Sequence, residues 1–160
     1  MSTNKFTTDL EQGNLGERII AKWLEKFKGY ETIKFGNTMD YDFVSQRPDG
    51  KQITFEIKTD RYEHFKNRKT GNIFVETRCN NKQSGVWGTI ADVYVFYFPD
   101  FGEIYMIKTD DLRALLSNPS ICDRKTLSGD RGAVSGYTIN RYKYGHLFNK
   151  IEIPVLDCWK

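Results

Sequence analysis

The chain is 160 residues long, with a formal net charge of +3, a hydrophobic fraction of 39% and an aromatic fraction of 14%. That length holds one sizeable core but not two ordinary domains, and the periodic grouping of apolar residues excludes a disordered chain, so a single domain over residues 1–160 is expected. A charge of +3 does not by itself demand a polyanionic partner, which shifts attention to local groups of Lys and Arg, from Arg61 to Lys69 and from Arg124 to Lys150.

Thr8-Asp9-Leu10-Glu11 has the form of a capping box, and Leu10, Gly16, Ile19, Ile20, Trp23, Leu24 and Phe27 then trace the apolar stripe of a helix ending at Gly29. Residues 40–46 and 52–59 read as a hairpin around Arg47-Pro48-Asp49-Gly50-Lys51, where Pro sets the turn and Gly can take the left-handed position. After a basic loop and a turn at Thr70-Gly71-Asn72, Ile73 to Thr77 is expected as a third strand continuing the meander. Ser84 to Ala91, small and polar with Val86, Trp87 and Ile90 at helical spacing, fits a short helix or a wide loop. Asp92 to Phe98 is apolar and β-prone, as a strand buried on both faces would be. Glu103 to Lys108 pairs with it across Pro99-Asp100-Phe101-Gly102. A short helix over Asp110 to Leu116, a polar loop, and a last strand in Ile151-Glu152-Ile153-Pro154 complete the expected order.

Cys79, Cys122 and Cys158 are odd in number and widely spaced, with no CxxC or paired-His pattern, so neither a disulfide framework nor a zinc site is expected and a reducing cytoplasm is the simplest setting. The polar N-terminus and the lack of a long apolar run give no sign of a signal peptide or a membrane span.

Side chains alternate along a strand, so Glu56 and Lys58 share one face, roughly 7 Å apart by the strand rise, while Phe55 and Ile57 take the other. A three-residue loop at Pro48-Asp49-Gly50 sets Arg47 opposite Lys51, and the same register places Asp42 across from Glu56 and Asp40 across from Lys58. Carboxylates facing each other across a sheet repel, and a hard divalent cation would compensate them. The alternative is an exposed charge ladder in which Lys58 pairs with Asp40. Glu17 bears on the choice: it projects near Gly13, Ile20, Ala21 and Leu24, on the flank of the apolar stripe, where small neighbours leave room for a ligand. A solvated edge residue pairing with a nearby Lys or Arg is the plainer account of it.

Taken together, Gly16-Glu17-Arg18 on a helix, Asp40-Tyr41-Asp42-Phe43-Val44 on a strand and Phe55-Glu56-Ile57-Lys58 on the next resemble the PD-(D/E)XK nuclease superfamily over residues 9–60, in the arrangement of Holliday junction resolvases and small phage-type endonucleases. Tyr41 stands where that family places Pro, which leaves Asp40 as an alternative to Asp42. Gly71 to Glu76 and Ser84 to Asp92 are similar to a further pattern in small phage and bacterial members. The resemblance implies an α/β fold of mixed α+β type, a restriction-endonuclease-like αβββαβ core in which helices flank a central mixed sheet.

It also implies a metal-dependent DNA endonuclease that hydrolyses phosphodiester bonds, with Glu17, Asp42, Glu56 and Lys58 as its catalytic residues. Asp42, Glu56, the Ile57 backbone carbonyl and Glu17 would hold Mg²⁺, with Mn²⁺ able to substitute, and Lys58 would hold or deprotonate the attacking water. Lys66, Arg68 and Lys69 are the expected DNA contacts, with Tyr62 and Phe65 available to stack. Glu76 is a possible further ligand, or an exposed strand carboxylate; His64 and His146 receive no role. Branched DNA, as for a resolvase, is the leading substrate class, with linear or single-stranded DNA as the alternative and an inactive nucleic-acid-binding module as the contrasting class. The implied setting is the cytoplasm, that of the host for a phage gene, with DNA as partner, no membrane, and a homodimer as the resolvase-like state.

Overall fold

The structure is a computed structural model that describes residues 2–36, 40–61, 70–129 and 132–160. It is a mixed α+β fold whose centre is a six-stranded mixed sheet. The N-terminal helix α1 spans Ser2–Lys28, followed by β1 (Glu31–Phe35), β2 (Phe43–Gln46) and β3 (Gln52–Thr59). Then come β4 (Asn72–Cys79), β5 (Lys82–Gln83), β6 (Val93–Phe98), β7 (Glu103–Lys108) and the short helix α2 (Thr109–Leu115). The chain closes with β8 (Cys122–Gly129), β9 (Gly132–Asn140), α3 (Arg141–Tyr144) and β10 (Asn149–Glu152). The six-stranded sheet has the order β1-β2-β3-β6-β7-β10, and a second sheet has the order β5-β4-β9-β8.

The apolar pattern explains the layering. On one face of the large sheet Phe43, Phe55, Ile57, Val95, Tyr97, Ile104 and Met106 pack against Ile20, Ala21 and Leu24 of α1 and against Trp159. On the other, Tyr94, Phe96, Phe98, Tyr105 and Ile107 meet Ile73, Val75 and Ile139 of the second sheet and Leu112 of α2. The large sheet is thus covered on both faces, which is why β6 reads as an unbroken apolar run.

The β2–β3 hairpin has the register expected of its loop, with Phe43 opposite Phe55 and Gln46 opposite Gln52. Arg47 N–H donates to the Lys51 carbonyl at 2.8 Å. The β6–β7 hairpin also forms across residues 99–102, and β10 adds to β7 as the last strand.

Three expectations are corrected. Thr8-Asp9-Leu10-Glu11 lies inside α1, which begins about two turns earlier, so its Thr caps nothing at a helix start. The strand at Ile73 does not continue the meander: β3 takes β6 as a parallel neighbour, and β4 pairs with β9 in the other sheet. Among the described residues the crossover from β3 to its parallel partner carries β4, β5 and a 3-10 turn at Gly85–Trp87, so the large mixed sheet flanked by helices is as expected. Finally, much of the polar stretch taken as a loop is the β8–β9 hairpin. Cys122 and Ile139 at its base are buried in the core and Tyr137 packs against it, while Asp123 to Leu127 are exposed, so burial wrote little alternating pattern into that sequence.

Arg61, first residue of the basic cluster, is a structural group. Its guanidinium forms a bidentate pair with Asp100 at 2.9 and 2.8 Å and donates to the Trp159 carbonyl at 2.8 Å, tying the end of β3 to the β6–β7 turn and the C-terminal residues.

Candidate active site

α1 crosses β3 at Gly16. A Cβ built there would collide with the Thr59 side chain, so only glycine lets the helix lie this close. The next residue, half-buried Glu17, is thereby carried to the place where β2 and β3 part. From the strands come Glu56 and Lys58 on one face of β3, and Asp42 from the residue just before β2.

Asp42 replaces a rung of the ladder. Its Oδ2 accepts the Ile57 N–H at 2.6 Å, a side chain doing the work of a strand at the point where β2 ends. The N–H and C=O of one strand residue point to the same neighbour, so the Ile57 carbonyl is turned toward this side as well. Glu56 is 8% exposed, and its Oε1 accepts from Lys58 Nζ at 2.7 Å. Its Oε2 lies 3.4 Å from Thr89 Oγ1, whose shorter bond, 2.7 Å, is to the Asp40 carbonyl.

The electrostatics show the four groups acting on one another. Burial, with Asp42 and Glu56 nearby, pushes the Glu17 carboxyl up to about 7, against the pull of Lys58 and Arg18. Burial and Glu56 raise Asp42 to about 6, although the Ile57 N–H favours its ionised form. For Lys58 burial works against the charge, yet the pKa is raised, because Tyr94, Glu56 and Asp42 hold the proton on. These are crowded carboxylates with too little positive charge among them.

The donor set is hard oxygen, with no thiol or imidazole, and it carries surplus negative charge; both features fit Mg²⁺ or Mn²⁺ better than zinc. Among the described residues no group of three or more acidic, His or Cys side chains is placed to hold one metal ion. Mg²⁺ commonly keeps several waters and takes one or two carboxylates plus substrate phosphate, so an open arrangement suits it.

Asp40 does not face Lys58. Its exposed residue hangs from Thr89 and Ile90 through the backbone carbonyl, because the chain leaves the hairpin at Asp42. Glu76 sits on β4, near enough to Tyr94 to oppose ionisation of that phenol. Asp92 satisfies backbone and side-chain donors of β3, its Oδ2 accepting from the Thr54 N–H and Oγ1 at 3.0 Å each. His146 is exposed on the 3-10 turn Gly145–Leu147. Lys66, Arg68 and Lys69, with Tyr62, His64 and Phe65, lie outside the described residues. Sequence reasoning missed Thr89, whose contacts to Asp40 and Glu56 span 49 and 33 positions and leave no local signature.

No protein-family model matches the chain, and no curated protein does. Among solved structures, a bacterial homing endonuclease, I-Ssp6803I, is similar at 24% identity over 62% of this chain and 68% of that one, with a TM-score of 0.45. A likeness of that size leaves the function to be argued from the site itself.

Proposed function

We propose that this protein is a divalent-metal-dependent DNA endonuclease of the PD-(D/E)XK type, with branched DNA as its leading substrate class. The observation that carries the reading is the convergence of Glu17, Asp42 and Glu56 on one lysine, with the Glu17 and Asp42 carboxyls displaced upward by burial and, after it, by the neighbouring carboxylates.

Asp42 and Glu56, with the Ile57 carbonyl, would hold Mg²⁺, which when bound supplies positive charge for the scissile phosphate and lowers the pKa of a bound water. Glu17 stands beside them and carries a proton near neutrality until a cation displaces it. Lys58 stays protonated, since its pKa is raised; it donates hydrogen bonds to a phosphate oxygen or to the attacking water, and does not remove a proton from either. Glu56 orients that ammonium through their 2.7 Å bond. Asp42 keeps the mouth of the site open, because by taking the Ile57 N–H it ends the β2 pairing there.

The test is cleavage of labelled four-way, flap, linear duplex and single-stranded DNA with Mg²⁺, with Mn²⁺ and with EDTA. The expected result is cutting with either metal, none with EDTA, and a preference for the branched substrates. Equal cutting in EDTA, or no cutting of any substrate by folded protein, would overturn the reading, and preference for linear DNA would overturn its substrate class alone.

A further inference from the structure

The second sheet extends past the core, and its far end forms a groove of about 430 Å³ lined by Thr77, Arg78, Arg124, Lys125, Thr126, Ser135, Gly136 and Tyr137. Three of those residues are cationic, four carry hydroxyls and none is acidic. Arg78, Arg124 and Lys125 are exposed and form no ion pair among the described residues.

The backbone arranges this deliberately placed charge. The β4–β9 pairing slips by one residue between Glu76 and Arg78, a β-bulge, so that Arg78 rather than Thr77 stands opposite Ser135. In the flanking pair Ser135 faces Thr126 and Tyr137 faces Arg124. Ser135 and Tyr137 are two apart on β9 and share a face, so the bulge turns Arg78 onto the face that already carries Arg124 and Tyr137. Gly136 permits the slip: a Cβ there would strike the Val75 carbonyl. By strand spacing the two arginines stand about 10 Å apart across the sheet and about 7 Å apart along it, a track of charge and not a point.

The track lies close to the candidate active site. Thr77 accepts the Ser84 N–H at 3.0 Å, and five residues on Thr89 touches Glu56. Five extended residues span at most about 18 Å, or roughly five base pairs of duplex rise.

We infer that this groove is a second DNA-contact surface, in which Arg78 and Arg124, with Lys125 at the rim on the edge strand, bind the sugar-phosphate backbone of a duplex arm within about one helical turn of the cleaved phosphate. A track of unpaired arginines with interleaved hydroxyls and a tyrosine matches a polyanion that is both charged and rich in acceptors. The inference rests on the nuclease reading for its partner, and it assigns to the β8–β9 hairpin the role of a clamp on DNA flanking the cut.

The test measures binding of the full-length protein to a labelled linear duplex in EDTA, where the proposed chemistry is silent, over a series of salt concentrations. Arg78→Gln/Arg124→Gln should flatten the slope of log K against log salt by about two, while Arg78→Lys/Arg124→Lys keeps it. Melting curves confirm that the variants fold, as expected for exposed side chains. Unchanged slope and affinity in the Gln variant, or no duplex binding by the parent, would overturn the inference. Metal-dependent cleavage by the parent, run in parallel, separates the two readings: groove-dependent binding without cleavage leaves the groove standing and removes the nuclease.

Discussion

Each residue of the candidate site has a distinct physical task, so each substitution should fail differently. Lys58→Ala removes the ammonium that Glu56 orients, and its loss should lower the cleavage rate by about 100-fold or more, as loss of a preorganised transition-state donor does elsewhere. Glu17→Gln should also abolish cleavage yet stabilise the metal-free protein above neutral pH. The folded Glu17 and Asp42 carboxyls titrate at about 7 and about 6, above the ordinary carboxylate range, so the folded state binds these protons more tightly than the unfolded state. Their stabilising contribution is therefore complete in the acid range and is lost as pH rises through those values. Metal-free Glu17→Gln should melt higher than the parent at pH 8 and no higher at pH 5, and Mg²⁺ should raise the parent's melting temperature more at pH 8. Equal melting at pH 8 would show that burial and the neighbouring carboxylates do not penalise ionised Glu17 as described. At this scale the sequence was informative where geometry is local: the hairpin loop fixed Asp42 against Glu56, and the flank position of Glu17 brought it to the same rim. Thr89 and the Ile57–Asp42 bond were not legible, since both depend on where a strand stops.

Among the elements, α1 and β3 set the precision of the site, and Gly16 sets their separation. Ala at this position would gain about 1 kcal/mol in helix propensity. The collision with Thr59 should outweigh that gain, since overpacking costs about 1–3 kcal/mol. Gly16→Ala is thus expected to lower both stability and cleavage rate. Gly16→Ala/Thr59→Ala should recover part of each, because the Thr59 hydroxyl is the first atom met. A Gly16→Ala protein more stable than the parent and fully active would show that the helix tolerates displacement. The helix itself was legible from Ile20 and Leu24, but its start was not. A Thr followed three residues later by Glu occurs inside helices as well as at their ends, and Leu10 at the head of the stripe is 52% exposed.

For the whole molecule the question is what joins the two sheets. Arg141 is one such link: its side chain is fully buried, its Nε meets Glu103 of β7 at 3.1 Å, and its guanidinium stacks 4.4 Å from the Phe98 ring. Removing one partner of a buried ion pair leaves the other uncompensated, so Arg141→Ala should cost about 3–5 kcal/mol, read as a fall in denaturation midpoint. A loss below about 1 kcal/mol, no more than an exposed pair is worth, would contradict that role. The division into two sheets could not be read from the sequence. β3 and β4 look alike as amphipathic strands, and nothing between them says that β3 will prefer a parallel partner whose first residue lies beyond position 90. The β8–β9 hairpin was hidden for a related reason: most of it faces water, and a strand that buries little carries no hydrophobic period.

The most direct measurement on the account as a whole is metal-dependent DNA cleavage by the parent protein beside Glu56→Ala, each shown to be folded. Glu56 is the residue that links the acids, Lys58 and Thr89. Cutting by the parent with Mg²⁺, abolished by EDTA and absent in Glu56→Ala, is the predicted result. Undiminished cutting by Glu56→Ala would contradict it and place any nuclease chemistry elsewhere on the molecule.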